Sequence, residues 1–174
     1  MKELKSYDEA VQRFGQTLSY NSLPITVWDF YGDQFAKDCA ISSDVVALNQ
    51  MRNKNNWNLE PDLFEKEVGT KKHIAVVTDA QLNIVYATKN IWEMNRYHPE
   101  EVVGLKPKVF QGKDTCPKTL KEISEAIRER RPFEKVVLNY RRDGQPYKCW
   151  IKGRPIFNTD GELTNFVAFE REVA

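Results

Sequence analysis

The sequence has few cysteines and no long apolar run. Its three cysteines, Cys39, Cys116 and Cys149, share no metal-like spacing, and an odd number of thiols cannot all pair within one chain. We therefore expect reduced thiols and a cytoplasmic protein. No stretch approaches the roughly 18 consecutive apolar residues of a membrane span, and the opening MKELKSYDEA lacks the apolar core of a secretory signal. We expect no membrane association.

An excess of charge of either sign is also absent. Lysine plus arginine number 26 and aspartate plus glutamate 25, so the net charge is +1. Such a balance gives no bulk attraction to nucleic acid. The sequence also lacks a glycine-rich phosphate loop, a cluster of metal ligands and a serine–histidine–aspartate arrangement. We expect no enzymatic activity, no bound metal and no nucleic-acid partner.

The residues up to about position 70 follow a helical period. Apolar residues recur at helical spacing in SYDEAVQRFGQTLSY, in SLPITVWDFYGDQFAKDCA and in SSDVVALNQMRNK, where a serine–aspartate pair starts a new helix. An aromatic set in this half predicts either core that covers one face of a sheet or a groove for a partner: Trp28, Tyr31, Trp57 and Phe64.

After Thr70 the pattern changes to short strands. HIAVVTD and NIVYAT predict a first hairpin, and three further strands are predicted in FEKVVLNYRR, PYKCWIKGRPIFN and ELTNFVAFERE. Asp143-Gly144 and Asp160-Gly161 are typical hairpin turns between the last three strands.

Helices are predicted between the second and third strands. NIWEMNRY favours a short helix, and the stretch from Pro99 to Gly104 favours a turn. TCPKTLKEISEAIRERR is the best helix of the chain, with Asp114 or Thr115 as its cap and Pro117 in its first turn. Its inward-facing residues are predicted to be Leu120, Ile123 and Ile127.

These elements and several motifs resemble the PAS sensor domain, and within it the light-oxygen-voltage (LOV) branch. The motifs are the aspartate that closes the first strand, the Tyr-x-x-Glu-Glu-Val-x-Gly turn, Phe-Gln-Gly, Asn-Tyr and the two Asp-Gly turns. The resemblance covers roughly Lys72–Val173. It implies an α+β fold with a five-stranded antiparallel sheet and inserted helices, as a PAS domain at 71–174 after a helical extension at 1–70.

The resemblance also locates the residues that matter for flavin chemistry. The reactive cysteine of flavin-binding LOV members would fall at Pro107, which has no nucleophile, so no covalent flavin adduct can form there. The first phosphate-binding arginine would be Lys108 and the second Ser124, so neither offers a bidentate guanidinium.

The polar contacts to the flavin ring are retained in part. Gln111 and Asn139 match the family, whereas a second asparagine would fall at Cys149 and a glutamine at Glu170. If a flavin-like ligand binds, the resemblance implies that Lys108, Gln111 and Asn139 contact it. Because the departures outnumber the matches, we expect no resident cofactor.

The predicted pocket is small and largely filled by its own side chains. Its lining is predicted to be Val109, Phe110, Cys149 and Glu170, with the Phe110 ring turned inward. Gln111 and Asn139 would then bind backbone near the end of the helix.

Other candidate groups favour unspecialised roles. Cys116 lies at a helix start, where a thiol pKa is lowered, but no histidine is near it in sequence. His73 and His98 lie off the helix that carries the haem ligand in haem-binding PAS domains, and they do not pair at metal spacing.

The sequence therefore predicts a PAS-type sensory or protein-interaction module that is not an enzyme and not a photoreceptor. Its partner is expected to be a second copy of the chain or a separate signalling protein, with a small molecule as a further candidate ligand. Burial of the apolar stripe Val11, Phe14, Trp28 and Phe35 on the sheet or in a homodimer is expected. The alternative is a sensor that binds flavin or another small cofactor and responds to redox state or light without a cysteinyl adduct.

Overall fold

The computed structural model describes residues 26–174, with side chains from residue 32 onward. The first predicted helix, including Val11 and Phe14, and the side chains of Trp28 and Tyr31 lie outside the described residues. The chain divides into two compact units, 1–36 and 37–174. The second unit contains the sheet and the site discussed below.

Five strands form one antiparallel sheet in the order β2-β1-β5-β4-β3. Their bounds are β1 Ile74–Asp79, β2 Ile84–Ala87, β3 Phe133–Tyr140, β4 Pro146–Phe157 and β5 Leu163–Val173. Gly144 and Gly161 have φ angles of 85° and 82°, in the left-handed region that glycine adopts without steric cost. The predicted sheet and its last two hairpin turns are confirmed.

Helices precede the sheet and are inserted between β2 and β3. The α-helices are α1 Thr26–Lys54, α2 Ile91–Asn95, α3 Pro99–Val102 and α4 Pro117–Arg128, with a π-helical segment at Glu65–Thr70 and a 3-10 helix at Pro107–Phe110. A short helix thus stands where a plain turn was predicted, because the Glu101 carboxylate accepts a hydrogen bond from the His98 backbone N–H at 2.9 Å and caps it. Within the described part of the chain, no helix is long and apolar enough to cross a membrane.

The prediction of a new helix at the serine–aspartate pair is wrong, because α1 runs through it without a break. Asp44 is buried, and its carboxylate accepts hydrogen bonds from the Tyr86 hydroxyl at 2.7 Å and from the Lys89 backbone N–H at 2.8 Å. Since those tertiary donors occupy both oxygens, Asp44 ties α1 to the sheet instead of capping a helix.

The cap of α4 was also predicted wrongly. Its N-cap residue is Cys116. The Thr115 hydroxyl is engaged elsewhere, accepting from the Gly112 backbone N–H at 3.0 Å and donating to the Leu138 carbonyl at 2.7 Å. Thr115 therefore joins the start of α4 to β3.

Apolar residues on the two faces of the sheet form separate clusters. On the outer face, Leu48 of α1 packs with Phe64, Val77 and Phe169. Trp57 belongs to this cluster, so the prediction that Trp57 and Phe64 form core is confirmed; Phe35, by contrast, is exposed. On the inner face, residues of β1 and β4 pack with α2 and the 3-10 helix: Ile74, Val76, Ile91, Phe110 and Cys149. The inner face holds the candidate site.

Candidate functional site

A cavity of about 360 Å³ lies between the inner face of the sheet and the wall formed by the 3-10 helix and α4. This volume is within the range of about 300–1,000 Å³ that small-molecule sites span. Most of its lining is apolar, including Val76, Ile123, Ile127, Val137, Ile151 and Phe166. The three residues predicted to face inward from α4 all line it, together with Ser124.

The prediction of a self-filled pocket is wrong, because open space remains between the inner face of the sheet and the helices that cover it. Gly153 of β4 pairs with Ala168 of β5, and both border the cavity. A side chain at Gly153 would meet the Phe133 ring, since an added Cβ would lie 2.3 Å from Phe133 Cζ. Phe110 does not fill the space: its ring packs edge-on against Tyr97, at a centroid distance of 5.8 Å.

Buried polar groups from separate elements border this apolar space. Thr78, at the end of β1, is only 5% exposed, and its hydroxyl has no hydrogen-bond partner among the described residues. Asn139 of β3 is only 3% exposed, and Gln111 follows the 3-10 helix. The backbone near Gln111 and Asn139 is bound by the Thr115 hydroxyl, so the structural role predicted for the two amides is filled by another residue. Both amides border the cavity instead.

The most unusual polar group is the carboxyl of Glu170. It is buried in β5 and borders the cavity. Its Oε2 accepts a hydrogen bond from the Cys149 thiol at 3.6 Å, and no ion pair with Glu170 occurs among the described residues. Desolvation by burial raises the pKa of Glu170 to about 7, against a small opposing effect of the thiol. Burial also raises the pKa of Cys149, so this thiol stays protonated.

Positive charge lies along the 3-10 helix. Lys106 and Lys108 are exposed and border the cavity on either side of Pro107, and Arg154 borders it from β4. The Arg154 guanidinium is held by Glu60, at 3.2 Å between Nη1 and Oε2.

The structure brings together most of the residues predicted for the site. Lys108, Phe110, Gln111, Asn139 and Glu170 all border the cavity.

The prediction that Val109 and Cys149 line the cavity is wrong, because neither residue borders it. Both pack in the apolar cluster of the inner face. Cys149 lies on the same face of β4 as Ile151 and Gly153, and its thiol donates a hydrogen bond to Glu170.

Pro107, at the position where the resemblance puts the reactive LOV cysteine, is part of the cavity wall. The three cysteines lie outside the cavity wall. Cys39 and Cys116 are exposed, and Cys149 is buried, with its thiol donating to Glu170. No thiol therefore borders the cavity.

The remaining candidates lie away from the cavity. The pKa of Cys116 is lowered, because the backbone N–H and hydroxyl of Thr119 stabilise its thiolate. His73 Nδ1 is 2.9 Å from Glu67 Oε2, and His98 stacks on Trp92. No group of three histidine, cysteine, aspartate or glutamate side chains in the described range could hold a metal ion.

Sequence reasoning missed Thr78, Gly153 and Ala168. The alternation of HIAVVTD puts Thr78 on the same face as Ile74 and Val76, which was a usable signal. The pairing of Gly153 with Ala168 depends on the register of two strands, and no local pattern reveals it.

The chain resembles known proteins over the region that contains this cavity. The PAS domain family model matches residues 72–174. Protein TWIN LOV 1 of Arabidopsis thaliana is 40% identical over 102 residues, which are 56% of this chain and 26% of that protein. The bacterioopsin transcriptional activator of Halobacterium salinarum is 30% identical over 132 residues, 76% of this chain and 18% of that protein. The chain thus spans about a quarter or less of the length of these relatives.

A solved structure agrees with this similarity. The dark structure of the blue-light photoreceptor Aureochrome1 LOV superposes with a TM-score of 0.60 at 26% identity, covering 67% of this chain and 87% of that chain. Because the family model also covers more than half of the chain, this chain belongs to the PAS domain family, and its sheet domain is LOV-like.

Proposed function

We propose that this PAS region is a sensory module that binds a small, largely apolar ligand in its inner cavity and does no cysteinyl photochemistry. The observation that supports this best is the cavity itself, which is bordered by the Thr78 hydroxyl, buried without a partner among the described residues. A buried polar group without a partner costs free energy, and a ligand that binds it removes that cost. The similarity to PAS and LOV proteins supports the sensory role.

Pro107 supports the absence of adduct chemistry. An adduct requires a thiolate or thiol within bonding reach of the ligand. The Pro107 side chain contributes only methylene groups to that part of the wall. Cys149, the buried cysteine, does not border the cavity, and its thiol donates to Glu170. A chromophore bound in the cavity would therefore find no thiol in the wall with which to form an adduct after it absorbs light.

β5 provides a route from the cavity to the rest of the molecule. Ala168 and Glu170 face the cavity, whereas Phe169 between them faces the outer cluster that contains Leu48 of α1. A ligand that shifts β5 thereby changes the packing of α1. We propose that a second copy of the chain or a separate signalling protein detects this change.

The second candidate is a flavin sensor without adduct chemistry. Gln111, Asn139 and the lysines beside Pro107 support it, and one solved neighbour with this fold is described as a LOV domain studied with a flavin analogue. The fit is only partial. Ser124 supplies no positive charge, and Glu170, when it is ionised, presents to the ligand a carboxylate that can only accept hydrogen bonds.

The test fills the cavity with a large side chain introduced on α4. Ile123→Trp puts an indole into the cavity, and Lys121→Trp puts the same side chain on the exposed face of the same helix. Calorimetry with 2-naphthamide as a neutral aromatic probe should show binding to the wild type and to Lys121→Trp, and binding at least about tenfold weaker to Ile123→Trp. No binding to the wild type, or equal binding to Ile123→Trp, would overturn the proposal.

The same proteins distinguish the second candidate. Flavin mononucleotide that binds more tightly than 2-naphthamide, and loses affinity in Lys108→Ala, would favour the flavin sensor. Native mass spectrometry of the purified protein would identify any ligand that it retains.

A further inference from the structure

Glu170 is the one carboxyl that borders the cavity in the described part of the chain, and its burial is largely uncompensated. Its carboxyl is 5% exposed and accepts a hydrogen bond only from the Cys149 thiol, a weak donor. A buried carboxylate is costly unless a cation or strong donors pair with it. The second oxygen has no donor among the described residues.

The strands beside Glu170 offer no cation. Its partners in the sheet are Ile74 of β1 and Ile151 of β4, both apolar. The nearby basic residues are engaged or remote: Lys135 pairs with Glu122, Arg154 pairs with Glu60, and the lysines of the 3-10 helix are exposed. A donor for the free oxygen must therefore come from inside the cavity.

We propose that Glu170 makes the cavity selective for ligands that bear an N–H donor group, above all a cationic amidine or amine, on a flat apolar body. This inference rests on the proposed function, because it names the ligand class of the same cavity. The apolar walls bind the body of the ligand, and Glu170 accepts the N–H group in a charge-assisted hydrogen bond. A ligand that bears a carboxylate is rejected, because it would bring a second negative charge beside Glu170.

The selectivity depends on pH. Besides Glu170, the titratable groups that face it are Cys149 and Tyr147 of β4; burial raises the pKa of both, so both are neutral near pH 7. The charged groups that border the cavity are Lys106, Lys108 and Arg154. Since the pKa of Glu170 is about 7, its carboxylate form, and with it the preference for a cation, grows as the pH rises from about 6 to 8.

Three naphthalene probes test the proposal by calorimetry on the full chain: 2-naphthamidine, which stays protonated throughout this range, neutral 2-naphthamide and anionic 2-naphthoate. At pH 8 the wild type should bind the amidine about tenfold more tightly than the amide, and the naphthoate most weakly. In Glu170→Gln the preference for the amidine should fall to within about twofold, while the amide binds as before. Glu100→Gln, a substitution at an exposed carboxylate, should leave all three affinities unchanged.

The outcomes separate the two proposals. Equal binding of amidine and amide to the wild type, or a preference that survives in Glu170→Gln, would overturn the role of Glu170 while the cavity still binds the amide. No binding by any probe would overturn both. The pH profile of the wild type decides the matter even where the variant does not fold: a preference for the amidine that stays flat between about pH 6 and 8 also overturns the role of Glu170.

Discussion

Replacement of Glu170 by glutamine should stabilise the ligand-free protein above neutral pH. Burial raises the pKa of this carboxyl from 4.5 to about 7. Because the folded-state pKa lies above the unfolded value, the stabilising contribution of the proton is fully present below pH 4.5 and is lost as the pH rises through about 7. For these two pKa values, the free energy of unfolding should fall by roughly 2–3 kcal/mol between about pH 5 and 8.5. A neutral glutamine removes this loss.

Urea unfolding followed by tryptophan fluorescence measures the effect at several pH values. Other groups contribute to the pH dependence of the wild type, so the informative quantity is the difference between wild type and Glu170→Gln. That difference should change by roughly 2–3 kcal/mol across this range in favour of the variant. Glu100→Gln, at an exposed site, should follow the wild type within about 0.5 kcal/mol. Parallel curves for the wild type and Glu170→Gln would show that the buried carboxyl does not titrate as described.

Two further predictions concern Pro107 and Asp44. Blue light on protein supplemented with flavin mononucleotide should cause no reversible bleaching through a thiol adduct, since Pro107 stands in the wall; a transient absorption band of such an adduct would contradict this. Asp44→Ala should lower the free energy of unfolding by about 3 kcal/mol, because it leaves the Tyr86 hydroxyl and the Lys89 N–H without their acceptor. Ser42→Ala, on the exposed side of α1, is its control, and an equal loss in both variants would refute the tie between α1 and β2.

The strands could be predicted because their signals are local. Alternating apolar residues and Asp-Gly pairs determine strand and turn without reference to distant residues. The stripe on α4 is local in the same sense, and Leu120, Ile123 and Ile127 face the cavity as predicted. The motifs of the PAS resemblance then indicated that the five strands form one antiparallel sheet, with helices inserted after the first hairpin.

The errors arose where a distant partner decides the outcome. The residues next to Asp44 in the sequence predict that it caps a helix, but its hydrogen-bond donors come from residues more than forty positions away. Phe110 has the size to fill a pocket, but Tyr97 offers it a ring to pack against. The pairing of Gly153 with Ala168, both of which border the cavity, depends on the register of two strands. Local pattern carries no information on any of these contacts.

The cost of burying Glu170 gives the cavity a means of signalling. A ligand shifts a conformational equilibrium only by its difference in affinity for the two states. With only the weak Cys149 thiol as donor, the ionised carboxylate destabilises the state in which β5 is packed between β1 and β4. An N–H group from a ligand would reduce that penalty. Because Phe169 on the other face of β5 packs with Leu48 of α1, tightening β5 also tightens the packing of α1. We therefore expect amide hydrogen exchange in α1 around Leu48 to slow when 2-naphthamidine binds, and to slow less when the same probe binds Glu170→Gln. Equal slowing in both proteins would show that the carboxylate is not the link.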